Sequence, residues 1–205
     1  RFEENLLKDF DAIIATGSDN TARYFHYYFG KYPNIIRKNR NGVAVIPEDY
    51  NEEDLKKLAD DIFMYFGLGC RNVSAVFIPV SMDEKRLLDN FEKYRYFTEH
   101  NKYMNNYMYH KAIYLMDRKK HLDNDFLLLK ESWEISSPLA VLNFGRYNGF
   151  NELKNYLSLN KDKIQCIVTN NTDFKDNVRL GNSQNPVLNT YADNIDTLDF
   201  LLNLK

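Results

Sequence analysis

The sequence predicts an α/β fold, and three observations lead there. Short apolar runs bounded by Gly or Pro recur along the 205 residues, as strands buried in a parallel sheet do. Amphipathic segments with helical spacing follow several of them. Good helix-capping residues, Ser, Asp, Asn and Thr, sit where one pattern gives way to the other.

In order along the chain, residues 3–9 read as the tail of a helix. FDAIIATGS (10–18) reads as a short strand ending in a tight turn. Ser18, Asp19, Asn20 and Thr21 open a helix, NTARYFHYYFGKY, which Gly30 and Pro33 stop. GVAVIPE (42–48) is a second buried strand. NEEDLKKLADDIFMYFGLG follows as an amphipathic helix, with Leu55, Leu58, Ile62, Phe63 and Phe66 on one face. VSAVFIPV is a strand and SMDEKRLLDNFEKY a helix. Residues 95–112 are rich in Tyr, Asn and His and show no clean period. AIYLMD, FLLLKES, LAVLNF and IQCIVTN are four further strand candidates, and NELKNYLSLNK and TLDFLLNL are helices.

Composition narrows the function classes. A net charge of −2 gives no electrostatic reason to expect nucleic acid or a membrane surface. Fifteen Tyr and fourteen Phe argue for a packed chain. No apolar run is long enough to span a bilayer. The charged start lacks the apolar core of a signal peptide, and two cysteines do not make a disulfide framework. A cytoplasmic protein with free thiols is expected. The chain opens on Arg1 and runs at once into a helix end, so a longer protein with an amino-terminal portion is expected as well. His26, His100, His110 and His121 have no metal-ligand spacing, and no metal is expected.

Three segments carry candidate chemistry. In IIATGSDNTARYF a strand turns into a helix amino terminus, where unpaired N–H groups and the dipole suit a phosphate. There Gly17 lets the backbone come close and Ser18 offers a hydroxyl; an ordinary capped turn explains the same residues. In FGLGCRNVS, Cys70 follows Gly67 and Gly69 and precedes Arg71. Glycines leave room for substrate and a cationic neighbour favours thiolate. A small buried thiol is the competing reading. Cys166, inside the apolar KIQCIVTN, reads as inert core. In ESWEISSPLAVLNF, Glu134 taken alone would be a solvated turn residue. Arg37, Lys38 and Arg40 form a basic run, either a solvated loop or a site for phosphates.

Taken together these segments resemble the aldehyde dehydrogenase superfamily: a TGS turn at Thr16, Gly17 and Ser18, a cysteine about fifty residues later at Cys70, and EISSPL from Glu134 onward. The detail resembles one branch, the LuxC-type fatty acyl-CoA reductases. ATGSDNTARYFHYYFGKYPNIIRKNRNGVAVI, DIFMYFGLGCRNVS, FLLLKES, DKIQCIV and YADNIDTLDFLL carry that resemblance, which covers essentially the whole chain.

The resemblance implies an aldehyde dehydrogenase-like catalytic domain joined to the end of a nucleotide-binding α/β domain. Residues 1–40 would end the cofactor-binding domain, and 41–205 would form the catalytic thiol domain. It implies Cys70 as nucleophile, with Thr16, Gly17, Ser18 and Glu134 at an NADPH cofactor. It implies a fatty acyl-CoA or another acyl thioester as substrate, an acyl-transfer partner protein and a homo-oligomer. Two departures from the pattern matter. Residues 20–47 contain no Asp or Glu, where many aldehyde dehydrogenases place the base that activates water. Ser136 stands where the pattern has Phe. An NAD-dependent aldehyde dehydrogenase making acid, or a non-catalytic relative or scaffold, are the alternatives.

Overall fold

The computed structural model describes residues 10–174, 177–188 and 190–204. They group into two compact units. One takes the residues up to Asn39 together with those from Val187 onward, and the other is Arg40–Pro186. The carboxy-terminal segment thus groups with the amino-terminal one, whereas the expected second domain ran without a break over 41–205.

The first unit contains a βαβ element. Strand β1 (Ile13–Thr16) and strand β2 (Asn34–Arg37) pair in parallel, and helix α1 (Asp19–Phe29) connects them. Strand β2 was not expected, because Pro33 and the basic residues after it read as a loop. A short helix near the end of the chain, Thr197–Leu202, is capped by the Asp196 carboxylate and belongs to this unit. Within it, Arg37 donates to Thr197 Oγ1 at 3.0 Å and lies 3.6 Å from Asp193. The helix expected over residues 3–9 lies outside the described residues.

The second unit is built on a six-stranded sheet. Its strands are β3 (Asn41–Val45), β4 (Val73–Pro79), β5 (Leu122–Asp123), β6 (Leu128–Glu131), β7 (Val141–Tyr147) and β8 (Ile164–Val168). The order is β5-β6-β7-β4-β3-β8, parallel throughout except for the short antiparallel edge strand β5. Strands β3, β4 and β7 are buried on both faces, which is why their sequences read as unbroken apolar runs.

The strand period of two sorts these residues into two cores. Ala44, Ile46, Val76, Ile78, Leu142 and Phe144 pack on one side with helix α2 (Glu52–Phe63). Val43, Val45, Ala75, Phe77 and Tyr147 pack on the other with helix α5 (Phe150–Leu159) through Leu153 and Leu157. Helix α2 starts on a reciprocal cap, with Asn51 Oδ1 accepting from Asp54 N–H and the Asp54 carboxylate accepting from Asn51 N–H.

Two stretches differ from expectation. SMDEKRLLDNFEKY splits into helix α3 (Lys85–Asp89) and a 3-10 segment, Glu92–Glu99. Residues Asn101–Met116 form helix α4, which absorbs AIYLMD, expected as a strand. Helix α4 hides its period because its buried face is Tyr103, Tyr107 and Tyr114, while Met108, Leu115 and Met116 face out. Tyrosine can be buried when its hydroxyl finds a partner, and Tyr107 donates to Asp123 at 2.6 Å. His100 caps this helix by accepting from Tyr103 N–H.

Candidate active site

Helix α2 runs toward Cys70 and stops at Phe63. Beyond it the backbone turns left-handed at Tyr65 (φ 55°), Phe66 (φ 59°) and Gly67 (φ 72°). The two aromatic residues are strained there, at a cost on the order of 1–3 kcal/mol each. Phe66 is held by its ring contacts with Phe97 at 4.7 Å and His100 at 4.3 Å.

Asn72 organises the turn that follows. Its side chain is buried, and Nδ2 donates toward the carbonyls of Asp61, Ile62 and Met64 at 3.0–3.1 Å. These carbonyls end helix α2 and would otherwise be orphaned. Asn72 Oδ1 accepts the Gly69 N–H at 2.8 Å, and Asn72 N–H bonds back to Gly69 O at 3.0 Å. A Cβ on Gly69 would lie 2.8 Å from Asn72 Oδ1, so the turn requires glycine at that position. Cys70 projects from this pinned turn and is exposed. Among the described residues, Cys70 N–H has no backbone hydrogen-bond partner.

A second loop is strapped beside the turn. Asp61, 1% exposed, accepts the N–H groups of Gly181 at 2.6 Å and Ser183 at 2.8 Å. Burial pushes its carboxyl above the usual carboxylate range, against the pull of those hydrogen bonds. Arg71 Nε donates to Ser183 O, so the cation expected beside Cys70 is directed into this strap. The next side chain, Gln184, lies against Gly69: both of its amide heteroatoms are 3.7 Å from where a Gly69 Cβ would be.

The structure also brings EISSPL to the same place. Leu139 Cδ1 is 3.7 Å from a Cβ position on Gly67, and Ser74 Oγ donates to Ile135 O at 2.6 Å. Asn143, buried in strand β7, holds the segment by donating to the carbonyls of Glu134 and Ser136. The Glu134 side chain is 72% exposed and meets Lys130 at 3.6 Å.

Thr16, Gly17 and Ser18 belong to the other unit. A Cβ on Gly17 would sit 2.7 Å from Thr21, so this turn also needs glycine. The Ser18 hydroxyl accepts Thr21 N–H and pairs with Thr21 Oγ1 at 3.0 Å. It is therefore engaged as a helix cap, and a ligand at this helix end would meet backbone rather than that hydroxyl.

Cys166 is buried in strand β8, where burial pushes its thiol up to about 11. The two thiols have opposite characters, one exposed on a turn and one protonated in the core. Among the described residues no group of His, Cys, Asp or Glu could hold a metal ion, and no helix is long and apolar enough to cross a membrane. Sequence reasoning missed Asp61, Asn72 and Gln184. An acid inside the apolar run LADDIF is a signal for Asp61. No local signal links Gln184 to a cysteine so far away in the chain.

No protein-family model and no curated protein sequence matches the chain. Solved structures do. An indole-3-acetaldehyde dehydrogenase complexed with NAD+ is similar over 80% of this chain, with a TM-score of 0.55 and 12% identity. The NADP-dependent glyceraldehyde-3-phosphate dehydrogenase of Bacillus halodurans C-125, complexed with NADP, is similar over 80%, with a TM-score of 0.54 and 18% identity. The acetylating aldehyde dehydrogenase of Geobacillus thermoglucosidasius is similar over 77%, with a TM-score of 0.51 and 16% identity. The chain spans 40–41% of the length of these proteins. The fold is thus aldehyde dehydrogenase-like α/β.

Proposed function

We propose that the chain carries the acyl-accepting thiol of a LuxC-type reductase that converts a fatty acyl thioester, such as acyl-CoA, to the aldehyde. The observation that supports this most is the Cys70 turn. An exposed thiol stands on a rigid loop beside the EISSPL segment, on an aldehyde dehydrogenase-like fold. Cys70 Sγ attacks the thioester carbonyl and the CoA thiolate departs. Among the described residues the Cys70 N–H has no backbone acceptor, and it can donate to the oxyanion that forms.

The first unit supplies the end of the cofactor-binding domain, and the second the thiol. In the first unit, the backbone at Thr16, Gly17 and Ser18, ahead of helix α1, fits a phosphate of a dinucleotide. In the second, Glu134 is exposed enough to take a ribose hydroxyl. NADPH, when bound, would supply the hydride. The protein is cytoplasmic, works as a homo-oligomer and receives acyl groups from a partner protein.

Reduction is favoured over acid formation because residues 20–47 hold no carboxylate to deprotonate water. Arg37, Lys38 and Arg40 are not bases while protonated. The test uses labelled long-chain acyl-CoA without nicotinamide. Label should persist on Cys70 and leave as aldehyde once NADPH is added. Rapid multiple-turnover release of fatty acid would instead establish the acid-forming reading.

A further inference from the structure

We infer that a cleft beside helix α2 is a binding site for phosphate groups, and that it holds the phosphate end of the acyl donor. The second half of this inference rests on the role proposed above for Cys70. The cleft has a volume of about 640 Å³ and lies in the second unit, between helix α2 and the loop that follows strand β8. Lys57 and Asp60 line it from the helix, and Thr172, Arg179 and Asn182 from the loop.

Charge decides what the cleft can take. Among the described residues its carboxylate is already neutralised, since Asp60 Oδ1 accepts from Lys93 at 2.6 Å and from the Tyr94 hydroxyl at 2.8 Å. The Asn170 side chain, also in the wall, is used at both ends: it donates to Asp54 at 2.7 Å and accepts Leu180 N–H at 3.3 Å. The two cations are not used up. Lys57 has only a 4.0 Å approach to Glu53, and its side chain is half exposed. Arg179 is exposed and makes no ion pair or side-chain hydrogen bond among the described residues. A guanidinium and an ammonium lining one cleft, with a hydroxyl and an amide beside them, suit a phosphate, whose oxygens accept several charge-assisted hydrogen bonds at once.

Hydrogen bonds hold the loop against the helix. The Asp61 carboxylate accepts the N–H groups of Gly181 and Ser183. Gly181, with φ 86°, rests on the stem of Lys57, where a Cβ would come within 3.1 Å of Lys57 Cβ. The same loop reaches the thiol turn: Ser183 follows Asn182, and its carbonyl accepts from Arg71, the residue after Cys70. The loop thus joins the phosphate cleft to the thiol turn. A donor charged at one end and reactive at the other, as an acyl-CoA is, fits that pairing.

Calorimetric titration of the intact protein in a phosphate-free buffer tests this, with coenzyme A, pantetheine and inorganic phosphate as ligands. Coenzyme A should bind, and pantetheine, which lacks the phosphates, should not bind at the same concentrations. Arg179→Gln and Lys57→Gln should each weaken coenzyme A about tenfold, and Arg179→Lys, which keeps the charge, should recover part of the loss. Inorganic phosphate should displace coenzyme A from the parent. Equal affinity for coenzyme A in the parent and both glutamine variants would overturn the site, as would tight binding of pantetheine or no binding of coenzyme A. Inorganic phosphate held in an Arg179-dependent way, with coenzyme A bound no more tightly, would mean a site for free phosphate and overturn the acyl-donor assignment. Arg179-dependent binding of coenzyme A without any reduction of acyl-CoA would sink only the reductase reading.

Discussion

Replacing Asn72 with Asp changes one atom of the side chain and reverses its hydrogen bonding. Asn72 Nδ2 faces three carbonyls, of Asp61, Ile62 and Met64, at 3.0–3.1 Å, and the residue is 4% exposed. A carboxylate keeps the acceptor for Gly69 N–H but turns its second oxygen on three carbonyl oxygens. Asn72→Ala loses two donated protons and one acceptor, at about 1 kcal/mol per hydrogen bond, for a total of about 3 kcal/mol. Asn72→Asp adds a buried charge facing negative dipoles and should cost about 3–5 kcal/mol at neutral pH. Urea unfolding, monitored by near-ultraviolet circular dichroism, reads both numbers. The order Asp worse than Ala is the discriminating result, because side-chain volume alone predicts the reverse. An Asn72→Asp protein within about 1 kcal/mol of the parent would show that these hydrogen bonds do not hold the turn. The thiol provides a second readout. With its turn released, Cys70 should lose acylation rate in the native protein well before the protein unfolds.

Cys70 should react with iodoacetamide at least about 100-fold faster than Cys166, since only thiolate reacts and burial holds Cys166 near 11; equal labelling of the folded protein would remove Cys70 from its role. Cys70→Ser should abolish thioester reduction, while Cys166→Ser at most lowers stability, and equal losses would argue against the assignment. Asp61 gives a pH test. Its folded carboxyl holds its proton more tightly than the unfolded chain does, so its contribution to stability is full below the ordinary carboxylate value and declines as pH rises through the folded value. The stability difference between parent and Asp61→Asn should therefore shift against the parent as pH rises above the ordinary carboxylate range, and parallel curves would mean Asp61 is not perturbed.

Much of the sheet is legible in the sequence. Strands β3, β4 and β7 fall on GVAVIPE, VSAVFIPV and LAVLNF, because a strand covered on both faces is largely apolar, and β8 falls on IQCIVTN, whose buried positions alternate. Helices α2 and α5 are legible because each buries one aliphatic stripe. Helix α4 is not, since its stripe is tyrosine, and the Tyr107 hydroxyl is satisfied by Lys111 and by an aspartate sixteen residues away. Strand β2 is not, since Asn34–Arg37 becomes a strand by pairing with Ile13–Thr16 and has no apolar pattern of its own.

Local sequence also marked Cys166 as core, because it lies within an apolar strand. For Cys70, among glycines and a cation, it left a small buried thiol as a competing reading, and the fold decided that the residue is exposed. What surrounds Cys70 was decided by tertiary structure. The Arg71–Ser183 contact spans 112 residues, and the Asp61 bonds to Gly181 and Ser183 span 120 and 122. The return of Val187 onward to the amino-terminal unit is likewise a long-range event. Such hydrogen bonds depend on where two distant segments are delivered by the sheet order, and a side chain such as Gln184 looks the same in sequence whether or not it is delivered to the Gly69 turn.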